Sequence, residues 1–129
     1  MGKSAVFLQV RLASTRLPNK AILPLADRPV IVHAMEALVH LSVDYRVLLT
    51  DSDSERELRK YGIACGFETF AGDPDDVLQR YRDAADYYRV DTIVRATGDN
   101  PLVSGATAEE ALRLQRRTAA DYAGIIGTP

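Results

Sequence analysis

Tryptophan is absent and cysteine nearly so: Cys65 stands alone among 129 residues. No internal disulfide can form, which fits a reducing compartment. No apolar run approaches the roughly 20 residues of a membrane-spanning helix. The first apolar run is broken by Gln9 and Arg11, too soon for a secretory leader. A cytoplasmic protein is expected. Neither charge dominates: 16 Lys and Arg against 18 Asp and Glu leave a net charge of −2. That balance gives no electrostatic footprint for nucleic acid or for an anionic membrane. Two common nucleotide signatures are also missing, the Gly-x-x-x-x-Gly-Lys-[Ser/Thr] loop and the Gly-x-Gly-x-x-Gly turn. Repeats, low-complexity tracts and linkers are absent as well.

What remains is an ordinary globular composition, 47% apolar and 26% charged, at a length that favours one domain. Ser4 to Val10 reads as a buried strand, because its apolar residues run almost without interruption. Pro29 stands where the first turn of a helix would be, and Val30 to Leu41 continues it. Tyr45 to Leu49 is a second buried strand. Ser52 with Glu55, or Ser54 with Glu57, offers a capping box for a short helix ending near Tyr61 and Gly62. Phe67 to Phe70 is a weak third strand. Asp73 is placed as the N-cap of the clearest helix, with Pro74 at its first position and Asp76 at its third. Val77, Leu78, Tyr81, Ala84, Ala85 and Tyr88 share one face of it. Thr92 to Ala96 is a fourth strand, residues 98–101 a turn, and Thr107 to Arg117 a last helix. Strand and helix alternate four times, which predicts a parallel sheet covered on both faces. Asp121 to Ile126 begins another strand just before Pro129, so the fold is expected to continue past that point.

The chemistry is concentrated in Arg11 to Lys20, directly after the first strand. Three cations, Arg11, Arg16 and Lys20, and two hydroxyls, Ser14 and Thr15, lie within ten residues. Arg presents a planar fork to phosphate oxygens and Lys a point charge. Pro18 stiffens the loop, and Asn19 tolerates the left-handed backbone that turns amides inward. Spacing alone leaves two readings open, a phosphate site and a solvated cationic loop. Asp99 follows the fourth strand, on the sheet edge where ligands of open α/β sheets collect. It fits either a plain turn or a carboxylate for Mg²⁺. A cationic loop and a metal carboxylate on one edge are the minimum for displacement at a nucleotide phosphate. Asp51, Ser52, Asp53, Asp73 and Asp76 are explained by helix capping. His33 and His40, seven apart in a mostly apolar helix, do not make a two-histidine metal site. Tyr81, Tyr87 and Tyr88 read as core and helix surface.

Three segments in order carry a resemblance. They are Gln9 to Lys20, Asp75-Asp76-Val77-Leu78-Gln79-Arg80-Tyr81, and Ile93 to Val103 with its Thr97-Gly98-Asp99-Asn100-Pro101 centre. They resemble the motifs of the cytidylyltransferases that activate acidic sugars, in the spore-coat polysaccharide branch related to CMP-KDO synthetase. The resemblance implies a Rossmann-like α/β/α sandwich of the nucleotide-diphospho-sugar transferase type, with residues 1–129 as its nucleotide-binding part. It implies that Arg11, Ser14, Arg16 and Lys20 embrace the triphosphate of CTP and that Asp99 binds Mg²⁺. Asp76, Arg80 and Arg95 match positions near the nucleotide. CTP and a sugar would be the partners, with CMP transferred and pyrophosphate released; a homodimer is left open. The family usually has Gly where Asn19 stands. Its members are longer, and their second half supplies the sugar pocket, a further metal carboxylate and much of the dimer interface. A non-catalytic binding remnant and a nucleotidyltransferase using another base are the alternative readings.

Overall fold

A computed structural model describes residues 2–12 and 20–97. Strand β1, Lys3–Gln9, runs through the middle of a four-stranded sheet. It pairs in parallel with β4, Tyr45–Asp51, from Ala5 opposite Tyr45 to Gln9 opposite Leu49. On its other side it pairs in parallel with β6, Val90–Thr97, which brings Thr97 opposite Gln9. Strand β5, Glu68–Gly72, extends the sheet beyond β4, with Gly72 opposite Asp51. All four strands point the same way, so Gln9, Asp51, Gly72 and Thr97 end on one edge.

The unbroken apolar run of β1 follows from burial on both faces. Val6 and Leu8 join one core with Ile31, Ala34, Met35 and Leu38 of helix α1, Val30–Leu38, and with Leu58 of helix α2, Ser52–Cys65. Ala5 and Phe7 face the opposite way. They join a second core with Val47, Leu49 and Ala84, the last on helix α3, Val77–Tyr88. The expected parallel sheet with helices on both faces is therefore present. The turn at residues 98–101, the helix from Thr107 and the strand from Asp121 lie outside the described residues.

Several boundaries differ from expectation, each for a local reason. Helix α1 has Pro29 at its N-cap and ends at Leu38, short of Leu41. Arg46 of β4 donates to the carbonyls of Val39 and Leu41, which gives the freed carbonyls partners. Helix α2 runs through Gly62 and stops at Gly66, which takes the left-handed conformation at φ 81° and donates to Gly62 O. Helix α3 starts three residues later than placed: Asp76 is its N-cap, accepting from Gln79 N at 3.0 Å. Asp73 instead closes a turn of its own, its Oδ1 accepting from Asp75 N and Asp76 N. Tyr81, Ala85 and Tyr88 pack on the second core as expected, but Leu78 is 63% exposed. A two-stranded hairpin, β2 at Pro24–Leu25 and β3 at Arg28–Pro29, was not anticipated. Its turn residues, Ala26 and Asp27, both have positive φ, a conformation usually signalled by Asn-Gly or Asp-Gly.

Gly62 is a packing glycine. A Cβ there would stand 2.9 Å from Phe67 O and 3.1 Å from Leu48 Cδ1. Gly62→Ala gains about 1 kcal/mol of helix propensity but forces α2 off the sheet at a cost of about 2–3 kcal/mol. Urea denaturation is expected to show a net loss of about 1–2 kcal/mol.

Candidate active site

The chain leaves β1 tied to the start of α2. Val10 N extends the ladder by donating to Leu49 O at 3.0 Å. Arg11 then donates through Nε to Asp51 Oδ2 at 2.7 Å, and Leu12 N donates to Ser54 Oγ at 3.0 Å. Asp51 also caps α2, its Oδ1 accepting from Ser54 N at 2.8 Å. One buried carboxylate thus serves a helix terminus and a cation 40 residues upstream. Burial opposes its charge, but the hydrogen bonds from Ser54 and the Arg11 guanidinium outweigh that cost and hold the Asp51 carboxyl below its usual value. Arg11 itself is 41% exposed, and its two Nη groups have no partner among the described residues.

The β5–α3 connection is built around Arg80, which is fully buried. Its Nε donates to Asp73 O at 2.9 Å and its Nη2 to Pro74 O at 3.1 Å, while Nη1 is buried without a partner. Gly72 makes room for it: a Cβ there would lie 2.7 Å from Arg80 Cγ. The guanidinium lies beneath the loop and fixes its backbone. Asp76 caps α3 through Oδ1 and is exposed.

On the α3 face of the sheet, Tyr81 donates its hydroxyl to Gln9 Oε1 at 3.2 Å. The Arg95 guanidinium stacks 5.0 Å from the centre of the Tyr81 ring. Burial pushes the Tyr81 phenol up, against the pull of the neighbouring Arg95 and Arg80 charges. Arg95 is exposed, so its cation faces water as well as the ring.

The structure therefore gathers Arg11, Asp76, Arg80 and Arg95 around the C-terminal edge of the sheet, in different settings. Arg11, Arg95 and Asp76 are accessible, Asp76 with one oxygen used in the cap, whereas Arg80 is buried and committed to the fold. Lys20 opens a short 3₁₀ turn, Lys20–Ile22. Its side chain, with Ser14, Thr15, Arg16 and Asp99, lies outside the described residues. Among the described residues no group of three His, Cys, Asp or Glu is placed to hold a metal ion. His33 contacts Leu25 O through Nε2. Sequence reading explained Asp51 as a cap and passed over its pairing with Arg11. It offered Ser52 or Ser54 as the capping-box residue of α2, whereas Asp51 is the N-cap and the Ser54 hydroxyl accepts from Leu12 N instead; Gln9 entered it only within the basic motif. The signals for Gln9 were its place at the head of the basic motif and a polar residue closing a buried strand, and for the Asp51 pair there was none, because the contact is long-range.

Comparison with known proteins gives this arrangement a context. The sequence profile of the family described as cytidylyltransferase matches residues 5–125. The chain is 29% identical over 128 residues to the spore coat polysaccharide biosynthesis protein SpsF of Bacillus subtilis, covering 95% of this chain and 53% of SpsF. It is 31% identical over 116 residues to the 3-deoxy-manno-octulosonate cytidylyltransferase of Brucella ovis, covering 85% of this chain and 45% of that protein. A solved cytidylyltransferase from Leptospira borgpetersenii superposes with a TM-score of 0.81 at 33% identity, over 88% of this chain and 49% of that one. The chain spans about half the length of the curated relatives it matches.

Arg80→Met keeps the apolar stem and removes both loop bonds. Chemical denaturation is expected to show a loss of about 3 kcal/mol, in the range for charged hydrogen bonds left unmade. An unchanged midpoint would show that the loop does not depend on Arg80.

Proposed function

The chain belongs to the cytidylyltransferase family, and from that premise we propose that it forms the nucleotide-binding part of an enzyme that moves CMP from CTP to a sugar. The sugar is acidic or modified and destined for surface polysaccharide, and pyrophosphate is released. The observation that carries this reading is Arg11: at the end of β1, partly exposed, held through Nε and with both Nη groups unpartnered among the described residues. A guanidinium so placed at the C-terminal edge of a parallel sheet is suited to phosphate oxygens.

In this reading a sugar hydroxyl oxygen attacks the α-phosphorus of CTP in line, its bond to phosphorus forms as the bond to pyrophosphate breaks, its proton passes to water, and no protein nucleophile is needed. Arg11 orients the phosphates. Arg16 and Lys20 offset charge on the departing pyrophosphate, and Ser14 and Thr15 add hydroxyl donors. Arg95 supplies a further cation and the exposed Asp76 a carboxylate near the nucleotide, while the buried Arg80 holds the loop beside them. The hard carboxylate oxygen of Asp99 suits Mg²⁺, with phosphate oxygens and water among the ion's further ligands. When bound, that ion supplies Lewis-acid polarisation at phosphorus. We place the protein in the cytoplasm: Cys65 is a free thiol, and no described helix is long and apolar enough to cross a membrane.

Calorimetric titration with CTP and MgCl₂ tests the proposal. Wild type is expected to bind CTP in preference to GTP, ATP and UTP, and Lys20→Ala to bind it about tenfold to a hundredfold more weakly, the value of one charged hydrogen bond. Absence of CTP binding by wild type, or equal affinity in the two proteins, would overturn it.

A further inference from the structure

Asp51 does more than cap a helix. Its two oxygens are divided between two partners, Oδ1 to Ser54 N and Oδ2 to Arg11 Nε. Ser54 in turn holds Leu12 N through its hydroxyl oxygen. The first two residues after Val10 are therefore fastened to the start of α2, one by side chain and one by backbone. Arginine has five N–H donors, and this contact uses one of them. It also removes much of the rotational freedom of a long side chain, which an unheld arginine would lose only on binding.

Resting on the reading of Arg11 as a phosphate ligand, we propose that Asp51 is the positioning residue of the triphosphate site. It holds Arg11 by Nε before and after ligand arrives, so that the Nη end meets the phosphate chain already oriented. Partial neutralisation of the guanidinium by Asp51 lowers the long-range attraction for phosphate, and the fixed geometry outweighs that loss at contact distance. Asp51 touches no substrate in this scheme and acts only through Arg11.

Two substitutions separate this role from helix capping. Asp51→Ser retains a preferred N-cap hydroxyl and has no second oxygen for Arg11. Asp51→Asn retains the cap oxygen and sets an amide donor against the Arg11 Nε–H. CTP affinity with Mg²⁺ is measured for wild type, Asp51→Ser, Arg11→Ala and the double variant, with Asp51→Asn as the second probe of the first position. Each Asp51 variant is expected to bind CTP about tenfold more weakly, whereas Asp51→Ser added to Arg11→Ala should change affinity less than about twofold. Equal losses in the two backgrounds would reduce Asp51 to a structural cap and overturn the inference while leaving CTP binding intact. Failure of wild type to bind CTP would instead overturn the nucleotide reading, and the phosphate role of Arg11 with it.

A second measurement does not depend on the variants folding equally well. The side-chain Nε–H of Arg11 should exchange slowly with solvent in wild type, both free and with saturating CTP. Fast exchange in the free protein would show that the tether does not form in solution. Protection that is lost when CTP binds would show that Asp51 competes with the ligand. Either result overturns the proposal.

Discussion

Parallel pairing of β1 with β4 on one side and β6 on the other brings the four strand ends to a single edge, and the chemistry of the molecule depends on that alignment. The pairing is stable because β1 is apolar on both faces and both are covered, by α1 and α2 on one side and by α3 on the other. Residues far apart in the chain become neighbours there. Gln9 stands between Leu49 and Thr97, Arg11 reaches Asp51, and Tyr81 reaches Gln9. The apolar core thus serves as the frame on which polar loop ends are set at defined spacings.

Two of these loop ends use the same device, a charged side chain spent on holding backbone. Asp51 caps α2, a contact of the kind generally worth about 1 kcal/mol, and fixes Arg11 with its other oxygen. Arg80 sits under the β5–α3 connection and takes the carbonyls of Asp73 and Pro74, with Gly72 providing the space. In one case an acid orients a cation that remains accessible. In the other the cation itself is buried and orients a loop. Both kinds of support suit the proposed phosphate role of this edge, since ligand contacts gain most from groups that are already ordered.

The framework was legible in the sequence where burial leaves a periodic mark. The run Ala5 to Leu8 signals a strand covered on both faces, and the spacing of Tyr81, Ala84, Ala85 and Tyr88 marks the inner face of α3. The basic segment after β1 and its match to family motifs led to the family to which the chain belongs. Details decided by competition between local partners were harder to read. Asp73 and Asp76 are both good N-caps, and Asp73 is taken by its own turn, so the helix begins at the second. Gly62 resembles a helix stop but is needed for close packing, and Gly66 ends the helix instead. Arg80, a charged residue, occupies a buried position that periodicity would assign to an apolar one, while Leu78 is exposed. The Arg11–Asp51 pair spans 40 residues and leaves no local trace.

The central claim is that the C-terminal edge of the sheet receives a nucleotide triphosphate. Amide chemical-shift mapping of the ¹⁵N-labelled protein during titration with CTP and Mg²⁺ tests it most directly. The largest changes are expected at Gln9 to Leu12, at Asp51 to Ser54 and at Gly72 to Asp76, with Lys3, Tyr45 and Val90 at the opposite edge unmoved. Changes centred on the opposite edge, or none at saturating CTP, would contradict the account.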